Sequence, residues 1–264
     1  MQQLQIFQID AFTKNVFHGN PAAVCPLEKW LDDTILQAIA QENNLAETAF
    51  FVPTEKGFHI RWFTPRQEVP LCGHATLASA FVIFTELEKE LRSVRFESKS
   101  GPLIVTRKDL LLEMDFPAYQ MMPCQDPPKL LLQGLKQHPK KIFIVEEDPN
   151  YYAVFETEEQ VRAIKPDLHL IEQLHPYAVV VTAPGKKTDC VSRYFAPSYG
   201  IDEDPVTGSI HSALVPYWTN QLKKTKIHAY QASLRGGDLF CKYTGKRVLI
   251  GGYAVKVMTG MFCI

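Results

Sequence analysis

A five-residue motif occurs twice in this chain: Arg-Trp-Phe-Thr-Pro at 61–65 and Arg-Tyr-Phe-Ala-Pro at 193–197. The two arginines stand 132 positions apart, half of the 264 residues. Each copy leads into an acidic stretch, then a glycine, then an apolar run. In the first half the sequel is Glu68-Val69-Pro70-Leu71-Cys72-Gly73-His74-Ala75-Thr76. In the second it is Glu203-Asp204-Pro205-Val206-Thr207-Gly208-Ser209-Ile210-His211. A shared offset, order and sequel point to a duplicated domain and narrow the fold to two similar halves.

The hydrophobic patterning agrees with two α+β halves. Leu4–Ala11, Thr48–Val52 and Phe58–Phe63 read as strands, the last alternating Phe58, Ile60 and Trp62 with the residues between. A helix is expected over Leu31–Asn44, with Leu31, Ile35 and Ile39 as its apolar stripe. Asn43-Asn44 can end it, because Asn tolerates left-handed geometry. His74–Leu87 reads as a buried helix, followed by strands near Val94–Glu97, Leu103–Thr106 and Leu110–Asp115. Pro117–Pro128, with four prolines, reads as a linker. Beyond it, Lys141–Val145, Tyr152–Phe155 and Tyr177–Thr182 are strand-like. Glu158–Ile164 and Gly208–Leu222 are helical, and Ile227–Gln231 and Val248–Val257 are closing strands.

Composition excludes several functional classes. Lys and Arg number 28 against 29 Asp and Glu, a net charge of −1. Such a chain lacks the cationic excess that binds a phosphate backbone, so no nucleic-acid partner is expected. Hydrophobic residues are 46%, enough apolar surface to offset the ordering entropy of a folded core. The apolar run near Ala75–Phe84 is too short for a membrane span, which takes about 20 residues. The start, Met-Gln-Gln-Leu-Gln, shows no signal-peptide pattern, so a cytoplasmic location and no membrane partner are expected. The six cysteines (Cys25, Cys72, Cys124, Cys190, Cys241 and Cys263) are scattered without zinc-ligand spacing. Reduced thiols are expected for most of them. There is no Gly-x-Gly-x-x-Gly for a dinucleotide and no Gly-x-Ser-x-Gly elbow. Gly185-Lys186-Lys187-Thr188 mimics the end of a phosphate loop, but Val180 stands where its leading glycine should be.

The candidate chemistry gathers at the two glycine-led helix starts, Gly73-His74 and Gly208-Ser209. Free backbone N–H groups and the helix dipole favour a carboxylate there, and glycine allows close approach. Taken singly, each reads first as an ordinary cap made by Thr207 or Ser209; it is their pairing in a duplicated chain that gives the binding reading equal standing. Glu47, between a helix end and an apolar strand, would gain a raised pKa if buried and so suit proton transfer. Position alone favours a solvated Glu at a strand edge. His74 reads as a proton donor at a helix start or as a capping residue. Asp204 reads as a ligand for an ammonium group or as a turn residue before Pro205. Ser209 is a hydroxyl donor, and His211 a packed helix residue. A two-thiol racemase would need one cysteine per half; Cys72 stands at the first helix start, but the second motif has none.

Eight segments together carry a resemblance: Asp10-Ala11-Phe12-Thr13, Gly19-Asn20-Pro21-Ala22-Ala23-Val24, Asn44-Leu45-Ala46-Glu47-Thr48-Ala49-Phe50, the two Arg-aromatic-Phe-x-Pro motifs, Glu68 to Thr76, Glu203 to Ser209, and Arg235-Gly236-Gly237. In this order the chain resembles the PhzF-like (phenazine biosynthesis) isomerase family, related in fold to diaminopimelate epimerase. The resemblance implies an α+β fold of two pseudo-symmetric domains, each a β-barrel-like mixed sheet around a central helix, with the site between them. The expected domains are 1–116 and 129–254, with a C-terminal strand at 255–264 returning to the first. The resemblance further implies Glu47 as the catalytic acid/base, with His74, Asp204, Ser209, Gly73 and Gly208 as substrate-binding residues. It also implies a homodimer and a proton shift without metal or organic cofactor. The form Leu-Cys-Gly-His-Ala-Thr goes with relatives that have no assigned substrate, so the catalytic Glu carries over and the phenazine substrate does not. The expected function is therefore a cofactor-independent isomerase acting on a small carboxylated metabolite. The alternatives are a racemase or epimerase using Cys72, and a non-catalytic binding or regulatory protein on the same fold.

Overall fold

The computed structural model describes residues 3–264. The chain divides into two compact units: the part up to Asp115 together with Gly251–Ile264, and Phe116–Ile250.

The first unit contains β1 (Gln3–Ala11), β2 (Asn20–Pro26), α1 (Asp33–Asn43), β3 (Glu47–Thr54), β4 (Gly57–Phe63), β5 (Glu68–Val69), α2 (Gly73–Val82), β6 (Ser93–Glu97), β7 (Leu103–Lys108) and β8 (Leu111–Pro117). β2 runs parallel to β3, β3 antiparallel to β4, β4 parallel to β6, and β6 antiparallel to β7. The parallel step from β2 to β3 is made through α1, as parallel strands require a crossover. That helix ends on Asn44 in the left-handed conformation, φ 49°, as the Asn-Asn pair predicts. Its buried stripe is Leu36, Ile39 and Ala40, one position round from the predicted one, with Leu31 and Ile35 at the margin. They pack on Ala23, Phe50 and Phe63 of the sheet.

α2 packs against β1, β2 and β3 and is buried on nearly every side. Its two hydroxyls bond back along the helix: that of Thr76 donates to the Cys72 carbonyl at 2.6 Å, and that of Ser79 to Ala75 at 2.8 Å. They therefore enter the core without unmet hydrogen bonds. The helical run continues past Val82 as a single π turn, Ile83–Leu87.

The second unit contains β9 (Met122–Pro123), α3 (Lys129–Leu135), β10 (Lys141–Ile144), β11 (Asn150–Val154), α4 (Glu158–Ala163), α5 (Leu168–Glu172), β12 (Ala178–Pro184), β13 (Cys190–Phe195), α6 (His211–Leu222), β14 (Lys226–Gln231), β15 (Gly237–Tyr243) and β16 (Arg247–Gly252). Its ladders repeat the order of the first unit: β11 parallel to β12, β12 antiparallel to β13, β13 parallel to β14, β14 antiparallel to β15. β17 (Ala254–Cys263) then lies antiparallel to β1 in the first unit.

α6 is shorter than the sequence suggests: it starts at His211, three residues after Gly208. The His211 N–H bonds the Gly208 carbonyl at 3.0 Å and the Ser212 N–H that of Ser209 at 2.9 Å. These short-range bonds make Gly208 and Ser209 a tight turn leading into the helix. Pro216 sits inside α6 and cannot supply the N–H that the Ser212 carbonyl would accept. The Tyr119 N–H takes that place at 2.9 Å.

The repeated arginines do the same job twice. Arg61 grips Glu68 in a fork, at 2.8 and 2.9 Å, and Arg193 grips Glu203 at 2.7 and 2.9 Å. The Arg61 hydrogen bonds hold the Glu68 carboxyl down at about 2. The third arm of Arg61 reaches Asp33 at the start of α1. That of Arg193 caps the Ile164 carbonyl after α4 at 2.7 Å. In each unit the fork ties a strand to the segment that enters the buried helix. No helix among the described residues is long and apolar enough to cross a membrane.

Candidate active site

Glu47 is the first residue of β3, paired with Ala22 of the parallel strand β2. It is 8% exposed, which corrects the solvated strand-edge placement that its position alone favours. The left-handed turn at Asn44 brings the chain straight from α1 into the sheet, so β3 is enclosed from its first residue.

His74 is the second residue of α2 and is buried. Its Nε2 lies 3.2 Å from Oε2 of Glu47. On its other side, Nδ1 lies 3.1 Å from Nδ2 of Asn20 and 3.5 Å from Sγ of Cys72. Asn20 opens β2 and is fully buried. Gly19, just before it, has φ 65°, and a Cβ there would stand 2.1 Å from the Ala11 carbonyl oxygen. Only glycine fits, which explains the Gly-Asn pair ahead of the strand.

One ligand atom each of Glu47, Cys72 and His74 lies within 4.8 Å of the others. Carboxylate, thiolate and imidazole are donors that a zinc-type ion accepts. Here the two ring nitrogens of His74 face different partners: Nδ1 meets Asn20 and Cys72, and Nε2 stands in close charge contact with the Glu47 carboxyl.

In the second unit, Asp204 precedes a turn that the fully buried Gln231 clamps. The Gln231 amide donates to the Asp204 carbonyl at 2.8 Å and to the Thr207 hydroxyl at 3.2 Å. Its oxygen accepts the Thr207 N–H at 2.8 Å. The Thr207 hydroxyl donates in turn to the Asp204 carboxylate. Asp204, Gly208 and Ser209 thus share one braced segment. His211 is fully buried, and its ring lies 2.8 Å from the Thr207 carbonyl through Nδ1. Burial pushes its imidazole down to about 4, so Nδ1 carries a proton and donates, and the ring stays neutral. This matches the packed role expected for it.

The structure therefore gathers Glu47, Gly73 and His74 in the first unit, with Cys72, and Asp204, Gly208 and Ser209 in the second. Sequence reasoning did not single out two residues. Asn20 was visible only as part of the Gly-Asn-Pro motif. Gln231 had no local signal, because its partners lie more than twenty positions earlier in the chain.

Comparison with known proteins identifies the family and the fold. The family model described as phenazine biosynthesis-like protein matches residues 9–260. An uncharacterized isomerase of Pseudomonas aeruginosa is 46% identical over 258 residues, covering 98% of each chain. The crystal structure of a PhzF family protein from Enterococcus faecalis superposes with a TM-score of 0.95 at 41% identity, covering 100% of both chains. A hydroxyproline epimerase from Agrobacterium vitis shares the fold at a TM-score of 0.65 and 10% identity, covering 98% of this chain and 92% of that one. The duplicated α+β architecture is thus the epimerase-like one, and the chain belongs to the phenazine biosynthesis-like (PhzF) family of isomerases.

Proposed function

We propose that this protein moves a proton between carbon atoms of a small carboxylated metabolite, with Glu47 as the acid/base and no organic cofactor. The observation that carries the reading is the buried contact of 3.2 Å between His74 Nε2 and Glu47 Oε2. A carboxylate held by an imidazole in a mostly water-free setting is an arrangement suited to taking a proton from carbon and returning it. The backbone N–H groups at the start of α2, beginning with Gly73 and His74, suit a substrate carboxylate. Asp204, Ser209 and Gly208 are proposed as further binding groups, Asp204 for an amino or hydroxyl substituent.

The spacing also bears on the epimerase alternative. Inverting a carbon takes two bases on opposite faces, each about 3–3.5 Å from it, hence roughly 6–7 Å apart. The reactive atoms of Glu47 and Cys72 lie within 4.8 Å of one another. That favours transfer by one base on one face over an opposed Glu47–Cys72 pair.

The test is deuterium uptake. Wild type and Glu47→Gln are incubated with a metabolite extract in D₂O, and mass spectrometry follows label gained only with wild type. A labelled carboxylic acid is the expected product. Equal labelling by the Gln variant would remove Glu47 from the role assigned to it.

A further inference from the structure

We infer that Asn20 is a positioning residue that sets the tautomer of His74, so that the ring turns its N–H side toward Glu47. The inference rests on the reading of Glu47 as the base. It adds what readies that base, and a residue that does so.

The argument is one of donors and acceptors. Nδ1 of His74 faces the Asn20 amide nitrogen at 3.1 Å, which can only donate, and the Cys72 sulfur at 3.5 Å, which is at best a weak acceptor. A ring nitrogen facing an amide N–H must accept, so Nδ1 carries no proton. A neutral imidazole then has its proton on Nε2, the atom 3.2 Å from the Glu47 carboxylate. The contacts are ordered one way: the Asn20 amide donates to Nδ1, and the Nε2 side of the ring faces the Glu47 carboxyl at 3.2 Å. Were the ring in the other tautomer, Nδ1–H would point at the Asn20 amide nitrogen, and the bare Nε2 lone pair would face the Glu47 carboxyl.

The placement of Asn20 suits the task. It is fully buried, at the first position of β2, where the Gly19 turn fixes the backbone. β2 is also the strand paired with β3, through Ala22 and Glu47. One strand therefore positions both residues that flank His74, and a side chain so held loses little entropy in making its contact.

Nitrogen NMR of the histidine side chains reads this without any substrate. Long-range proton–nitrogen correlation near neutral pH is recorded on ¹⁵N-labelled wild type, with His74→Gln to assign the signal. The expected spectrum shows His74 as a single neutral tautomer protonated at Nε2. Asn20→Asp offers Nδ1 an acceptor and should draw a second proton onto the ring, giving the doubly protonated pattern. Asn20→Ser keeps a small donor and should retain the wild-type tautomer. A wild-type His74 protonated at Nδ1, averaged between tautomers, or doubly protonated would overturn the inference whether or not a variant folds. So would an Asn20→Asp spectrum identical to wild type. Failure here leaves the role of Glu47 standing, and failure of the deuterium test leaves the tautomer standing, so the two results can be told apart.

Discussion

Glu47 and Ala178 hold the same position in the two halves of the duplicated fold. Glu47 precedes Thr48, which faces Phe63 across β3 and β4, and Ala178 precedes Val179, which faces Phe195 across β12 and β13. Phe63 and Phe195 are each the third residue of the repeated motif. Counting from Gly73 and Gly208 in the same way, Cys72 matches Thr207 and His74 matches Ser209. The duplication therefore preserved the frame, its Arg–Glu forks included, and not the ionisable groups at these three positions. A methyl group stands where a second base would be, and hydroxyls replace the thiol and the imidazole.

On the proposed reading the base stands in one half only, and its removal has no internal substitute. Glu47→Gln is expected to lower turnover about 10²–10⁴-fold, the usual share of a positioned acid/base. Kinetics on whichever acid the deuterium assay labels would show this. A loss below tenfold would argue for another base.

Cys72 is expected to matter far less. Cys72→Ala should lose less than about tenfold, against the 10²–10⁴ that a base supplies. Loss of turnover as deep as that of Glu47→Gln would restore the epimerase alternative.

Gln231 braces the Asp204–Thr207 turn with three hydrogen bonds in a fully buried place. Gln231→Leu strands the Thr207 N–H and the Asp204 carbonyl, each costing about 1–3 kcal/mol. A loss of roughly 2–5 kcal/mol in urea unfolding is the expected outcome. An unchanged midpoint would show that the turn holds itself.

The Arg193 fork should not tolerate lysine. An ammonium cannot grip Glu203 with two parallel bonds while also capping Ile164. Arg193→Lys is expected to cost about 2 kcal/mol, the scale of a lost charged hydrogen bond. Equal denaturation midpoints would count against the fork as a stabilising element.

His211 predicts a pH dependence of stability. Burial holds its imidazole at about 4, whereas in the unfolded chain a histidine takes its proton near 6.5. The unfolded state thus binds more protons between these values, and stability falls as pH drops from 6.5 toward 4. The slope is about 1.4 kcal/mol per pH unit from this group. In His211→Leu, melting temperatures across that window should decline less steeply than in wild type. Parallel curves would assign the acid sensitivity elsewhere.

Much of the frame was legible in the chain. The two Arg-aromatic-Phe-x-Pro motifs announced the duplication. The Asn-Asn pair marked the end of α1, and the apolar run after Gly73 marked a helix buried on nearly all sides. These features are local: they follow from backbone preferences and from the period of the apolar residues, which a sequence carries directly. Local patterning also placed α6 three residues too early, because a glycine turn and a helix start look alike until their hydrogen bonds are drawn.

What the sequence by itself determined, then, is the duplicated α+β plan and the short list of side chains able to do chemistry. Only the tertiary structure decided that Glu47 is enclosed rather than solvated, that His74 faces it, that Asn20 stands behind His74, and that Gln231 holds the second turn. Each of these depends on strand register and on helix placement over gaps of more than twenty residues. Patterns read along the chain say which face of an element is apolar. They do not say which residue of one strand will lie opposite which residue of the next, and that register is what brings a carboxylate, an imidazole and an amide within hydrogen-bond reach.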